Sequence, residues 1–148
     1  MAERLVLGIG NPDRGDDAVG RLIARSLRMR VPADVRISEH DGEATALVGE
    51  LQSARHAWLI DAARSGARPG TIHRIDCSNA ELAVPLGTLS SHGFGVAEAI
   101  ALARALEVLP LQCIVYAVEA ADFTSCTGLS REVMQAMEAV AERILAEL

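Results

Sequence analysis

Residues 5–20 constrain the fold of this chain more than any other stretch. Leu5, Val6 and Leu7 form a short apolar run of the length and character of a buried strand. Gly8 and Gly10 then remove side chains where the backbone must turn sharply. Asn11 tolerates left-handed angles and Pro12 fixes its own φ, so a tight loop follows. Val19, Leu22, Ile23 and Leu27 next mark one face of a helix. Asp16 or Asp17 falls at its start, where a carboxylate is favoured. The segment reads as strand, glycine loop, acidic helix start.

A glycine loop between strand and helix can cradle a phosphate, but this one is built wrongly for it. The dinucleotide pattern needs a third glycine where Asp13 stands, and a P-loop needs a lysine that the chain lacks here. Asp13, Asp16 and Asp17 would repel a phosphate. Oxygen donors beyond a strand end suit a cation better. The plain structural alternative is that Asp16 or Asp17 caps the helix.

The chain has 148 residues, enough for one domain with a real core, and residues 1–148 are expected to form a single domain. Its aromatic residues are Trp58, Phe94, Tyr116 and Phe123, so the core has to be aliphatic and alanine-rich. With 14 basic and 20 acidic residues the net charge is −6, which argues against nucleic acid or an anionic membrane as partner. No apolar run is long enough to span a bilayer, and nothing ahead of Leu5 has the form of a signal peptide. Cys77, Cys113 and Cys126 are odd in number and lack metal-site spacing. They read as reduced thiols, and a cytoplasmic location is expected.

Further strands are expected at 35–38, 57–60, 71–75 and 113–118, and further helices at 44–51, 94–106 and after Ser130, which is placed as the cap of the last helix. The nine residues 62–70 are too few for a parallel crossover, which needs about a dozen or more. The fourth strand is therefore expected to run antiparallel at or near an edge. The whole predicts an α/β three-layer sandwich: a mostly parallel five-stranded sheet with one antiparallel strand and helices on both faces. In such sheets ligands bind beyond the carboxyl ends of the strands. Asp17, Asp41, Asp61 and Glu119 each follow a strand, and His92 opens a helix that should start on the same rim. A divalent-metal site and simple structural capping of the rim both account for that placement.

These residues carry a resemblance. Gly8-Ile9-Gly10-Asn11 with Asp16, Asp17 and Gly20 resembles the opening motif of the hydrogenase maturation proteases, nickel-dependent endopeptidases that trim the large subunit of [NiFe] hydrogenases. Leu59-Ile60-Asp61-Ala62 resembles the family's second block, Ser91-His92-Gly93-Phe94-Gly95-Val96 its histidine block, and Val118-Glu119 with Gly128-Leu129-Ser130 its tail. Four blocks in this order span nearly the whole chain.

The resemblance implies metal contact and catalysis by Asp17, Asp61 and His92. Many relatives have glutamate at the first position, so Asp17 is a shorter variant. Gly10, Asn11, Asp16, Asp41 and Glu119 are expected as substrate-contacting or ligand-supporting groups. His40 joins them through its neighbour Asp41, whereas His56 and His73 are expected on strand surfaces. Where many relatives carry Gly-Gly-Thr, this chain has Gly42-Glu43-Ala44-Thr45. Two carboxylates and an imidazole leave coordination positions open, as catalytic sites do, and suit nickel or zinc alike. The resemblance implies Ni2+, with Zn2+ or Cd2+ able to occupy the site in vitro. The chain has no His-Glu-x-x-His run and no Gly-x-Ser-x-Gly elbow, and a cysteine nucleophile is disfavoured because Cys113 lies in a buried strand. The expected site carboxylates lie exposed on the rim with no thiolate nearby, so nickel is expected to arrive with the substrate, a nickel-loaded hydrogenase large-subunit precursor. A monomer is expected. Two alternatives stay open: a non-catalytic nickel-binding maturation chaperone, and a small-molecule amidohydrolase on the same fold.

Overall fold

The computed structural model describes residues 2–78, 95–123 and 128–148. Five strands form one sheet: β1 (Ala2–Ile9), β2 (Val35–His40), β3 (Ala54–Ala63), β4 (Ile72–Asp76) and β5 (Gln112–Glu119). Their spatial order is β2-β1-β3-β5-β4. β1 pairs in parallel with β2 and β3, and β3 in parallel with β5. β4 alone runs antiparallel, paired to β5 at the edge, as the short 62–70 connection requires. The α/β sandwich read from the sequence is the fold.

The helices are α1 (Val19–Leu27), α2 (Ala44–Gln52), α3 (Gly95–Ala105) and α4 (Arg131–Glu147). α2 and α3 cover one face of the sheet over Leu5, Leu7, Leu59 and Val115. α1 and α4 cover the other over Val6, Trp58, Ile60 and Tyr116. Successive strand residues thus feed opposite cores, which is why the inner strands read as unbroken apolar runs. On α1 the buried face is Val19, Gly20, Ile23, Ala24 and Leu27. Leu22, expected on that face, lies at its margin, because the small Gly20 and Ala24 let the helix turn its other side to the sheet.

Glycine sets how close α1 comes. A Cβ on Gly20 would lie 2.2 Å from the Ile60 carbonyl oxygen and 2.6 Å from that of Ile9, and one on Gly8 would lie 2.4 Å from the Gly20 carbonyl oxygen. Such approaches admit no side chain. They press the start of α1 onto the carboxyl ends of β1 and β3, which brings the acidic turn before α1 against β3.

At the other end of the molecule, Glu147 of α4 accepts hydrogen bonds from Trp58 Nε1 (3.4 Å), Arg74 (2.6 Å) and the Tyr116 hydroxyl. The polar tips of the two large buried aromatic residues are satisfied there by one carboxylate.

Candidate functional site

The rim formed by the carboxyl ends of the strands begins at Gly10. Its N–H donates to the His40 carbonyl (3.0 Å), which continues the β1–β2 pairing past Ile9 and sets the glycine loop beside Asp41 and Gly42. Gly10 has φ 143°, and a Cβ there would lie 1.9 Å from the Asp17 carbonyl oxygen, so only glycine lets the chain fold back over its own acidic turn. That turn, a 3-10 helix at Gly15–Ala18, carries Asp16 and Asp17.

The two adjacent aspartates face different tasks. Asp17 is 2 % exposed, and its Oδ2 accepts the Asn11 N–H at 2.9 Å. Asp16 is fully buried. Its carboxylate accepts the N–H of Ala121 (2.7 Å), Asp122 (3.0 Å) and Ser130 (2.7 Å), and the Ser130 hydroxyl at 2.9 Å. Asp16 therefore fastens the turn to the connection between β5 and α4. Ser130 does occupy the position before α4, but its hydroxyl gives no cap to the helix; Asp16 has taken it. The expectation of a capping serine is corrected accordingly.

Asp61 interrupts the buried residues of β3, between Ile60 and Ala62, in register with Ala117 of β5. Its Oδ1 accepts the N–H of Ala62 at 2.8 Å. Burial pushes the Asp61 carboxyl up to about 8, against the pull of that hydrogen bond, and the charge of Asp17 pushes the same way. The acidic turn that carries Asp17 packs against β3, on the side where Asp61 stands. The carboxylates are not the exposed rim groups expected: Asp17 is buried and Asp61 partly so, because the glycines seat the acidic turn deep between the strand ends. The third expected member, His92, lies outside the described residues. Gly95, at the start of α3, stands on the same rim, since a Cβ there would lie 2.5 Å from the Gly42 carbonyl oxygen. Among the described residues no group of three or more His, Cys, Asp or Glu is placed to hold a metal ion.

Glu119, at the end of β5 and in register with Ala63, is 2 % exposed. It accepts the Ser65 N–H (2.8 Å) and hydroxyl (2.6 Å), and His73 Nε2 approaches to 3.1 Å. Burial raises its pKa, but the donors from Ser65 and His73 outweigh that and hold it below the ordinary glutamate value. Glu119 thus ties down the loop that leaves Asp61. Sequence reasoning missed both partners; Ser65 is an unremarkable loop serine, and His73, expected at a strand surface, bonds this buried acid.

Asp41 is exposed, and its Oδ1 accepts the Glu43 N–H at 3.0 Å. His40 lies beside it with Nδ1 accepting the Gly42 N–H (3.0 Å), so the neutral ring carries its proton on Nε2. Glu43, the departure from Gly-Gly-Thr, caps α2 by accepting the N–H groups of Thr45 (3.0 Å) and Ala46 (2.8 Å). The cysteines are poor nucleophiles where described: Cys77 and Cys113 are buried, and burial raises the Cys77 thiol to about 11 and the Cys113 thiol further still.

The family model for hydrogenase maturation protease matches residues 23–147, and the chain belongs to that family. It is similar to the hydrogenase maturating endopeptidase HybD from E. coli, with 27% identity and a TM-score of 0.82 over 99% of this chain and 91% of that one. It shares its fold with the [NiFe] hydrogenase maturation protease HycI from Thermococcus kodakarensis KOD1, at 23% identity and a TM-score of 0.76 over 98% and 91% of the two chains. A curated relative, the hydrogenase expression/formation protein HupM of Azotobacter chroococcum mcd 1, is 28% identical over 134 residues. That match covers 89% of this chain and 64% of the relative's length.

Proposed function

We propose that this chain is an endopeptidase that removes a C-terminal extension from the large-subunit precursor of a [NiFe] hydrogenase after nickel insertion. The observation that carries the reading is the pair Asp17 and Asp61, two carboxylates set at adjoining strand ends on a chain of this family. The pair fits a divalent cation. Its donors are hard oxygens, and a cation held there would favour the ionised form of Asp61, which burial and then the Asp17 charge disfavour. His92 would add an imidazole to Asp17 and Asp61. An ion held there polarises a peptide carbonyl or lowers the pKa of a water.

Nickel is read here as cargo of the substrate, so that binding the precursor and completing the site are one event. Zn2+ or Cd2+ would serve as stand-ins in vitro. The chain's own residues supply the positioning. The Asn11 amide holds Asp17 Oδ2, the Ala62 amide holds Asp61 Oδ1, Asp16 fixes the turn below, and Glu119 fixes the loop beyond Asp61. Gly10, Asn11 and Asp41 at the mouth would meet the peptide. Holding the scissile segment still is a large part of such catalysis. We place the reaction in the cytoplasm, with the enzyme a monomer; no helix among the described residues is long and apolar enough to cross a membrane.

The test is mass spectrometry of nickel-loaded and nickel-free precursor after incubation with the purified chain. Shortening of the nickel-loaded form alone is expected. A nickel-loaded precursor that is bound but left intact would mean a maturation chaperone instead. Efficient cutting of the nickel-free form would remove nickel from the recognition.

A further inference from the structure

On a chain of net charge −6, one surface carries an unbalanced positive charge. Arg21 and Arg25 lie one turn apart on α1, and Arg28 follows at the end of the helix. All three converge on Glu39 of β2: Arg21 at 3.1 Å, Arg25 at 2.9 Å and Arg28 at 3.1 Å. The other arginine–carboxylate ion pairs among the described residues each join one arginine to one acid: Arg4–Asp34, Arg30–Glu138, Arg36–Glu50 and Arg74–Glu147. Glu39 has to serve three. Arg25 holds it most strongly, and together the three keep its carboxyl at about 2, so it stays ionised and saturated. A guanidinium presents five N–H donors, and one shared carboxylate uses few of them. The Arg25 and Arg28 side chains are each 47% exposed, so the remaining donors face solvent.

The row has direction. At its upper end Arg21 donates to the Gly10 carbonyl at 3.3 Å, on the rim of the candidate site. At its foot Arg28 donates to the Ile37 carbonyl at 3.5 Å and borders a groove of about 250 Å³, with Val31, Pro32, Val35 and Ile37 along its walls. β2 stands at the edge of the sheet beside it, the arrangement against which an extended chain can lie.

We propose that the α1 arginine row and the groove at its foot dock an acidic, extended segment of the protein substrate, away from the bond being cut. Charge complementarity selects that occupant: carboxylates meet the spare guanidinium donors, and an apolar side chain between them enters the groove. The identity of the partner rests on the peptidase reading above; the surface itself does not.

The experiment has two arms, each run on wild type, Arg25→Gln/Arg28→Gln, Arg25→Lys/Arg28→Lys and Glu39→Gln. In the first, fluorescence anisotropy follows a short labelled peptide of alternating glutamate and leucine, with alternating lysine and leucine as control. The acidic peptide should bind wild type and weaken at high salt. Binding should fall about tenfold in the double glutamine variant, recover in part with lysine, and tighten in Glu39→Gln, which frees three guanidinium groups. Opposite changes in two variants are not what misfolding produces. In the second arm, the KM for nickel-loaded precursor should rise about tenfold in the double glutamine variant with kcat unchanged. Equal binding of both peptides, or unchanged binding and KM across the variants, overturns the proposal. So does a wild-type dimer that the glutamine variant abolishes, since a second copy would then be the occupant. A wild type that binds the acidic peptide but never cuts precursor refutes the peptidase reading and leaves the surface standing.

Discussion

Replacing Asp61 by asparagine should make the metal-free protein more stable, and the gain should depend on pH. Burial has moved the Asp61 carboxyl from 3.8 to about 8. In the unfolded chain it loses its proton near pH 4; in the folded chain it keeps it until about pH 8. Between those values unfolding releases a proton, so wild-type stability falls as pH rises. The fall is about 1.36 kcal/mol per pH unit at most, about 5 to 6 kcal/mol across the interval. The asparagine side chain carries no proton to lose and keeps an oxygen for the Ala62 amide. The assay is urea unfolding of both proteins in chelator, from about pH 5 to about pH 9. The curves should nearly meet at the acid end and separate steadily to about pH 8, with the variant above. Parallel curves would show that Asp61 ionises normally in the folded protein, and the case for a carboxyl kept protonated by its burial would go with it.

Asp16→Ala should cost about 3 to 5 kcal/mol, because it leaves the buried amides of Ala121, Asp122 and Ser130 without their acceptor; a fall in the urea midpoint equivalent to less than about 1 kcal/mol would show that the connection rehydrates freely. Glu119→Gln retains an acceptor for Ser65 but loses the charge that His73 meets. Precursor processing should drop about 10- to 100-fold while ion binding measured by calorimetry persists; complete loss of binding would make Glu119 a direct ligand.

The strand and helix order was legible because each inner strand feeds both cores and so reads as an apolar block, as Leu5 to Leu7 and Trp58 to Ile60 do. The reversed β4 was legible from loop length alone. The division of labour between Asp16 and Asp17 was not. Neighbouring acids on one turn look alike in a sequence, and only the connection more than a hundred residues later decides which of them it claims. The same holds for Glu119, whose partners Ser65 and His73 lie 54 and 46 residues away. The three arginines of α1 show a helical spacing, but nothing local says that they share Glu39. Sequence periodicity reports which side of an element is apolar; it does not report which long-range polar partner a side chain meets.

The Asp16 anchor has a consequence for how the candidate site comes apart. The turn that presents Asp17 is fastened to the segment entering α4, across a separation of 114 residues. Local opening of that distant segment would release the anchor, and the turn carrying Asp17 would lose its footing with it. Hydrogen exchange should therefore find the amides of Asp17 and Ser130 opening as one unit. The lifetime of the assembled site would then be set by the carboxy-terminal helix, far along the chain from the glycines that shape it.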